Sequence, residues 1–241
     1  MSRKNGKEKI LFSHIRPKSA IAEAFRTLRT NIGFSSYSGA NKIILTTSPA
    51  PDEGKSTVSA NLAVVMAQAR SRVLLIECDL RKPVLHQYFE LDNRRGLTNL
   101  LVQDLAVEDV IQTTRVDGMH VITSGPIPPN PSELLASARM DEVLARVGEQ
   151  YDVALIDAPP VIAVTDAALL APRVDSVLLV LRAGSTRIEM AQEARNTLQN
   201  AGAKNIGVVL NIIKLHGGGY YNYYSYYGAK NQPVQEKTGV T

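Results

Sequence analysis

The chain has 241 residues, of which 44% are hydrophobic, and a formal net charge of +4. This length accommodates one sizeable α/β domain or at most two small ones. No apolar stretch reaches the roughly 18 residues of a membrane span, and no apolar core or cleavage site of a secretory signal follows the basic residues Met1–Lys9. The single cysteine, Cys78, excludes a disulfide framework and a cysteine-ligated metal site.

Basic residues are concentrated at the amino terminus, within the first 18 positions: Arg3, Lys4, Lys7, Lys9, Arg16 and Lys18. A solvated, frayed terminus accounts for this excess. The alternative is a surface that meets an acidic partner or an anionic membrane leaflet. No nucleic-acid recognition module accompanies these residues, so we expect no nucleic acid as a partner.

Strand and helix signals alternate from residue 42 to residue 213. Continuous apolar runs predict strands that are buried on both faces: Lys42–Thr46, Arg72–Cys78, Met119–Thr123, Tyr151–Ile156, Asp175–Leu181 and Ile206–Ile213. Helical stretches are predicted between several of them, at Ser56–Gln68, Ser132–Val147 and Ile188–Ala201. This alternation predicts an α/β fold with a mostly parallel sheet flanked by helices.

An amphipathic helix, Ser19–Phe34, is predicted before the first strand, with Ser19 as its N-cap and with Ala24, Leu28 and Ile32 on its apolar face. After the last strand, glycines at positions 217–219 mark a hinge. We therefore predict three regions: a basic, flexible amino terminus (1–18), one P-loop domain (19–215) and a flexible tyrosine-rich tail (216–241).

A phosphate-binding loop is predicted at Ser48–Thr57, which reads SPAPDEGKST between a strand and a helix. Backbone N–H groups of such a loop and the helix N-terminus surround phosphate oxygens. The general motif has a glycine five positions before Gly54, where this chain has Pro49. A simple loop is the alternative. The loop predicts ATP binding by a run of six residues: Asp52, Glu53, Gly54, Lys55, Ser56 and Thr57.

Two further apolar strands end in acidic residues. Val153–Asp157 ends in a carboxylate and is followed shortly by two prolines, which is the Walker B arrangement. Leu74–Arg81 reads LLIECDLR and places Glu77 and Asp79 two residues apart, on one strand face. Because carboxyl ends of parallel strands meet at one crevice, these acids are predicted to lie beside the phosphates. A strand-end turn and a surface pair at a sheet edge are the alternatives.

Together these motifs resemble those of the bacterial tyrosine kinases of capsule and exopolysaccharide systems, the CpsD/CapB family, over about residues 15–228. The matching segments are the helix motif EAFRTLRTN, the Walker A stretch SPAPDEGKST, the Walker A′ stretch LLIECDLRKP, the Walker B stretch LIDAPP, the segment GPIPPNPSELL at Gly125–Leu135 and the tail YYNYYSYYG. The last two are absent from MinD/ParA-type ATPases, which share the sheet and the loop.

The resemblance implies an ATP- and Mg²⁺-dependent protein-tyrosine kinase of the MinD/ParA-like P-loop group. Lys55, Glu77 and Asp79 would be catalytic, with Lys55 on the phosphates and Glu77 as candidate base for the tyrosine phenol. Glu77 stands where the family usually has an aspartate. The implied metal ligands are Ser56, Asp79 and Asp157.

The resemblance also draws attention to two other positions. Asn211 follows a strand at the place where related P-loop ATPases carry an adenine-facing asparagine, and a turn or cap role is the alternative. Asp52 stands where the family often has glycine, which reduces the backbone freedom of the loop.

Six of the nine tyrosines form a cluster in the tail: Tyr220, Tyr221, Tyr223, Tyr224, Tyr226 and Tyr227. Their period of three matches neither a strand nor a helix, which argues against a packed core. A low-complexity segment is the alternative. The resemblance implies autophosphorylation of these residues, and the short reach of the tail favours transfer between subunits. Accumulated phosphate charge would then switch an interface by repulsion.

The resemblance also implies partners and a location. Glu23, Arg26 and Arg29 would form contacts in a ring-shaped homo-oligomer, with an ordinary solvated helix face as the alternative. The cytoplasmic tail of a separate transmembrane activator would recruit the cytoplasmic kinase to the inner face of the membrane, and tyrosine substrates and a phosphotyrosine phosphatase would complete the system. Two other functions stay open: a MinD/ParA-type ATPase switch without kinase activity, and a degenerate P-loop protein that binds nucleotide without turnover.

Overall fold

The computed structural model describes residues 11–35 and 42–213. The basic residues 1–10 and the tyrosine cluster Tyr220–Tyr227 lie outside the described residues, so the predictions for them are not tested here. The α-helices in this part of the chain are α1 Phe12–Ile15, α2 Ala20–Ser35, α3 Lys55–Ala67, α4 Leu85–Phe89, α5 Leu97–Val102, α6 Pro131–Ala136, α7 Ala138–Gln150, α8 Asp166–Leu170 and α9 Ile188–Asn200. Two short 3₁₀ turns lie at Val107–Val110 and Ala171–Arg173.

The described strands form one sheet in the order β3-β4-β2-β5-β1-β6-β7. Their bounds are β1 Ile43–Thr47, β2 Val73–Glu77, β3 Gln112–Thr113, β4 Met119–Ile122, β5 Val153–Asp157, β6 Ser176–Arg182 and β7 Ile206–Asn211. Only the short β3 runs antiparallel to its neighbour among these strands. The predicted mostly parallel α/β fold is confirmed, and each predicted strand is found within one or two residues of its observed bounds.

The core lies in two layers, one on each face of the sheet. Along β2, Leu74 and Ile76 pack into the layer that contains α7 and α9. Val73 and Leu75 pack into the opposite layer, which contains α3. Alternate residues of a strand point to opposite faces, so a strand that is apolar at every position is buried on both.

The register of the central strands places the predicted site at one level. Thr46 of β1 and Glu77 of β2 both pair with Asp157 of β5. The carboxyl ends of these three adjacent strands therefore lie side by side. The P-loop leaves the sheet from the same edge, at the end of β1.

Two predictions about helices need correction. The predicted helix Ser132–Val147 is interrupted at Ser137, whose ψ of 154° is extended and whose side chain caps α7. The apolar face of α2 contains the buried Ala22 and Ile32, whereas Ala24 is exposed. Packing against α3 decides which side of α2 is buried. The helical spacing of apolar residues in the sequence does not distinguish Ala22 from Ala24.

The amino-terminal boundary also differs from the prediction. Residues 11–15 belong to the region predicted to be flexible, but Leu11 is buried and Ser13 donates its backbone N–H to Asn61 Oδ1 of α3 (2.9 Å). Gln68, just after α3, donates to the Ser13 carbonyl (3.1 Å). These contacts attach α1 to the domain. Ser19 caps α2 as predicted, accepting from the Ala22 N–H (3.2 Å).

Candidate nucleotide site

The P-loop turns sharply into α3 at Gly54, whose φ is +90°. A Cβ at this position would lie 2.2 Å from Asn211 Nδ2, so both the backbone angle and the space require glycine. Asp52 also has a positive φ, of 64°. It therefore occupies a conformation that favours glycine, which agrees with its place in the loop motif.

Two polar contacts join the loop to the neighbouring strands. The buried Glu53 carboxylate accepts hydrogen bonds from the Arg182 N–H at the end of β6 and from the Thr186 hydroxyl. Asn211 Nδ2, at the end of β7, donates to the Glu53 carbonyl (3.0 Å). In this structure Glu53 and Asn211 position the loop. Their predicted contacts with ATP stay predictions.

The Lys55 ammonium lies among oxygen atoms from three elements. Its Nζ is 2.9 Å from Asp79 Oδ2, 3.4 Å from Asp157 Oδ2 and 3.2 Å from Ser56 Oγ. Burial by itself lowers the pKa of Lys55, but the carboxylates of Asp157, Asp79 and Glu77 raise it above its ordinary value. Lys55 is therefore charged, and the structure brings together the residues that the loop and strand-end motifs predicted.

Asp157 is fully buried at the end of β5. Its Oδ1 accepts a hydrogen bond from Ser59 Oγ (3.2 Å), and Ser56 also donates to the carboxylate. Burial raises the pKa of Asp157, while Lys55 and the two serine contacts oppose that shift. The Thr57 hydroxyl, by contrast, is turned to the Tyr88 hydroxyl of α4 (2.6 Å).

Glu77 is fully buried, and Asp79 is buried with a relative exposure of 5%. Glu77 Oε2 accepts from the Val84 and Leu85 N–H groups (2.8 and 2.7 Å), and Oε1 has no hydrogen-bond partner within the described residues. Burial, together with the negative charge of Asp157, raises the pKa of Glu77 to about 8. The role of Glu77 as a base stays a prediction.

A second polar network, not predicted from the sequence, lies beside the Walker A′ stretch. Arg81 Nε and Nη2 donate to the two carboxylate oxygens of the fully buried Asp166 (2.9 and 3.1 Å). Ser132 Oγ accepts from Arg81 Nη2 (2.8 Å) and donates to Asp166 Oδ1 (2.7 Å). Arg81 and Ser132 belong to motifs noted in the sequence, but no local pattern marks Asp166.

The residues predicted to form oligomer contacts lie on α2. Glu23 and Arg26 form an exposed ion pair (2.6 Å). Arg29 Nη1 donates to the Val65 carbonyl of α3 (2.7 Å), so this side chain attaches α2 to the domain. Their roles between subunits stay predictions. Within the described residues, no helix has the length and apolar character needed to cross a membrane.

The arrangement suits a nucleotide phosphate chain with a divalent cation. The Ser56 hydroxyl and the carboxylates of Asp79 and Asp157 are hard oxygen ligands, the type that Mg²⁺ prefers. Glu77 Oε1 is a buried oxygen without a hydrogen bond in the described part of the chain, as expected of an atom whose partner arrives with the substrate. The residues present therefore fit a nucleotide phosphate chain with Mg²⁺, which the P-loop implies.

Comparisons with known proteins agree with this site. Residues 42–206 match the family model AAA_31, described as an AAA domain, which supports nucleotide binding. The chain is 43% identical to tyrosine-protein kinase YwqD of Bacillus subtilis over 220 residues, covering 91% of this chain and 92% of that protein.

Solved structures of related chains show the same architecture. The chimerical protein CapA2B2 is 40% identical, with a TM-score of 0.81 over 85% of this chain and 90% of that one. The kinase domain of the Escherichia coli tyrosine kinase ETK is 37% identical, with a TM-score of 0.82 over 89% of this chain and 84% of that domain.

A more distant structural likeness is to a solved structure that is less than 25% identical. The septum site-determining protein MinD of Pyrococcus horikoshii, complexed with Mg-ADP, is 24% identical, with a TM-score of 0.61 over 70% of this chain and 69% of that one. That likeness is one of fold. By the much closer match to tyrosine-protein kinases over nearly its whole length, the chain belongs to the bacterial tyrosine-protein kinase family.

Proposed function

We propose that this kinase uses ATP and Mg²⁺ to phosphorylate the tyrosine cluster of its own tail, in trans within a ring of subunits, and thereby regulates capsule or exopolysaccharide synthesis and export. The observation that supports the nucleotide chemistry is the position of Lys55 between Asp79 and Asp157 at the end of the P-loop. The tail supplies acceptors within the same sequence, since six tyrosines lie between Tyr220 and Tyr227.

The P-loop backbone and the N-terminus of α3 would hold the phosphates. Lys55 would exchange its contacts with the two carboxylates for contacts with the β- and γ-phosphates. Ser56, Asp79 and Asp157 would then hold Mg²⁺, which neutralises charge on the phosphate oxygens. Glu53 and Asn211 would keep the loop in place, with Asn211 next to the space for the base.

The acceptor phenol needs orientation and, late in the transfer, loss of its proton. Asp79 is the more exposed of the two Walker A′ acids, and we assign it the orienting role. Glu77 is the candidate base, through its unpartnered Oε1. With a pKa of about 8, Glu77 is mostly protonated at neutral pH, so only its deprotonated fraction could accept the phenol proton. That transfer would be uphill by about 3 kcal/mol, given a phenol pKa of about 10. An ordinary carboxylate would make the same transfer cost roughly 8 kcal/mol.

The position of β7 supports transfer between subunits. The chain leaves β7 at Asn211, four strand spacings from β2, which is about 19 Å at 4.8 Å a spacing. The nine residues from Asn211 to Tyr220 have an r.m.s. span of roughly 16 Å as a flexible chain. That distance exceeds the r.m.s. span, so the first tyrosines would reach their own site only in a form more extended than average, whereas a neighbouring site imposes no such path.

The exposed Glu23–Arg26 pair on α2 is a candidate contact in the ring. The family resemblance further leads us to propose an activator, a separate transmembrane protein whose cytoplasmic tail recruits the kinase to the inner face of the membrane. A phosphotyrosine phosphatase would reset the tail. Phosphates carry about −1.5 to −2 charges each, so their accumulation would open the ring by repulsion.

The test is a labelling experiment with the purified chain, Mg²⁺ and γ-labelled ATP, with the activator's cytoplasmic segment added in a parallel reaction. We expect phosphotyrosine in the tail, and none after the six tyrosines are changed to phenylalanine. Phosphate release without labelled protein would instead support an ATPase switch.

The trans arrangement has its own test. An inactive Lys55→Met chain is mixed with an active chain that lacks the tail tyrosines. We expect label on the Lys55→Met chain. Active enzyme that leaves this partner unlabelled would contradict transfer between subunits.

A further inference from the structure

A proline-rich segment follows β4 and leads into α6. It comprises residues 125–131, here called the proline segment, and it reads GPIPPNP. Pro126, Ile127 and Pro129 are exposed, with Ile127 exposed to 65%. None of the roles described above uses these side chains, so an apolar surface next to the nucleotide site stays unexplained.

The proline segment leaves the sheet beside the Walker A′ acids. Ile76 of β2 pairs with Ile122 of β4 in parallel register. Asp79 and Gly125 each come three residues after that pair, just beyond the ends of β2 and β4, so the two chains leave the sheet at the same edge. At the far end of the segment, Ser132 accepts a hydrogen bond from Arg81, two residues after Asp79.

The proline segment is held at both ends. Asn93 Oδ1 accepts from the Gly125 N–H (3.0 Å), and Asn93 Nδ2 donates to the Gly125 carbonyl (3.2 Å). Pro131 begins α6, and Ser132 is tied to the Arg81–Asp166 pair. Prolines fix φ, so the segment loses little conformational entropy when a ligand binds to it.

We propose that the proline segment is the docking surface for the tyrosine-bearing tail of a second copy of this chain. The proposal rests on tail autophosphorylation as proposed above. Prolyl rings and an isoleucyl side chain pack well against tyrosine rings, and prolines offer no N–H for backbone pairing. Such a surface would bind aromatic rings without pairing with the backbone in one fixed alignment. Any of the six tyrosines of the tail could therefore occupy it.

A second copy is favoured by where the tail begins. β7 and β4 are five strand spacings apart, about 24 Å. Seven residue steps lead from Ile213 to Tyr220, with an r.m.s. span of roughly 15 Å and a fully extended length of about 25 Å. The first tyrosines of a chain therefore reach their own proline segment only when the linker is nearly extended.

The experiment measures the KM for a protein acceptor. The acceptor is the full chain carrying Lys55→Met, and the enzyme is the active chain with its six tail tyrosines changed to phenylalanine. In that enzyme, Ile127→Ser should raise the acceptor KM by about tenfold, the effect of losing most of one buried apolar side chain. We expect kcat and the KM for ATP to change by less than about twofold, because Ile127 is exposed and lies outside the nucleotide loop.

Two control variants accompany Ile127→Ser. Ile127→Leu keeps the apolar volume and should retain most of the affinity for the acceptor. Ile15→Ser removes an isoleucine of equal exposure, 64%, from α1. Because α1 bonds to Gln68 beyond the carboxyl end of α3, it lies at the opposite end of the domain from the P-loop, and this variant should leave the acceptor KM unchanged.

The outcomes separate this proposal from the proposed function. An enzyme with an intact proline segment that fails to label the Lys55→Met chain contradicts the trans mechanism itself. Efficient labelling with the same acceptor KM in the Ile127→Ser and Ile15→Ser enzymes overturns the docking surface alone. If Ile127→Ser leaves labelling of the Lys55→Met chain unchanged but slows self-labelling of a chain with its tyrosines at dilutions where that chain is monomeric, the occupant is the chain's own tail, and the second copy is excluded.

Discussion

At the residue scale, the site depends on one ammonium group surrounded by buried carboxylates. The Lys55 side chain is only 12% exposed and contacts Asp79 and Asp157, while the charge of Glu77 is close enough to raise the pKa of Lys55. Opposite charges at such short distances offset the cost of removing them from water. The same pairing keeps the two motif acids in place until phosphates compete for Lys55.

Glu77 predicts a pH dependence of stability in the absence of nucleotide. The pKa of its carboxyl group rises from 4.5 to about 8 on folding, mainly through burial. The folded chain therefore holds a proton that the unfolded chain releases. This contribution is complete below about pH 4.5 and is lost as the pH rises through about 8. The free energy of unfolding should fall over that range.

The Glu77→Gln variant tests this prediction. Glutamine does not titrate, and it can still accept from the Val84 and Leu85 N–H groups. Urea unfolding with EDTA at about pH 6 and about pH 8.5 should show a smaller loss of stability for the variant than for the unchanged chain. An equal loss in both proteins would mean that Glu77 does not hold the proton.

At the element scale, the P-loop is a strand-to-helix turn whose shape is imposed by its neighbours. The ends of β6 and β7 hold it through Glu53 and Asn211, while Gly54 provides the left-handed turn. Short loops of this kind can be recognised in a sequence because glycine, lysine and serine follow one another directly. The contacts that hold the loop come from residues more than 125 positions away.

Gly54→Ala should reduce ATP affinity by at least about tenfold, because the left-handed backbone costs an alanine 1–2 kcal/mol and the new Cβ collides with Asn211. Adding Asn211→Ala should restore only part of the loss, since the backbone strain remains. Calorimetric titration with ATP measures both effects. Gly33→Ala is the matched control, because a Cβ at Gly33 meets nothing within 4 Å. If Gly54→Ala binds ATP as tightly as the unchanged chain does, the predicted contact between the P-loop and the phosphates of ATP is wrong.

At the scale of the whole molecule, the Arg81–Asp166–Ser132 network joins three separate parts of the chain. It connects the Walker A′ stretch to the start of α6 and to the start of α8, over sequence separations of 51 and 85 residues. Asp166 is fully buried, and Arg81 is the cation that compensates its charge. The proline segment is thereby fixed relative to Asp79.

Arg81→Ala should lower the free energy of unfolding by about 2 kcal/mol, since it leaves a buried carboxylate with one hydroxyl partner. The double variant Arg81→Ala/Asp166→Ala should lose less than the sum of the two single variants, because the unpaired charge is then absent. Arg94→Ala removes an arginine from a solvent-exposed pair with Asp92 and should leave the free energy of unfolding nearly unchanged. Urea unfolding of all four variants measures the coupling energy between Arg81 and Asp166. If the double variant loses as much unfolding free energy as the two single variants together, the two residues are not coupled.

The sequence by itself determined the parallel α/β fold, the P-loop and the acidic ends of β2 and β5. These features are encoded in adjacent residues: apolar runs make buried strands, and Gly54-Lys55-Ser56 makes a turn into a helix. Parallel strands then bring Asp79 and Asp157 to one edge of the sheet, so their meeting with Lys55 followed from topology. The family resemblance came from the same short motifs.

Other features were decided only by the tertiary structure. The apolar face of α2, the break at Ser137 and the burial of Glu77 depend on what packs against them. The partnership of Arg81 with Asp166 joins residues 85 positions apart, which no local pattern encodes. Burial and long-range pairing arise when the whole sheet forms, because each carboxylate must then find a cation or a donor among the groups that folding brings near it.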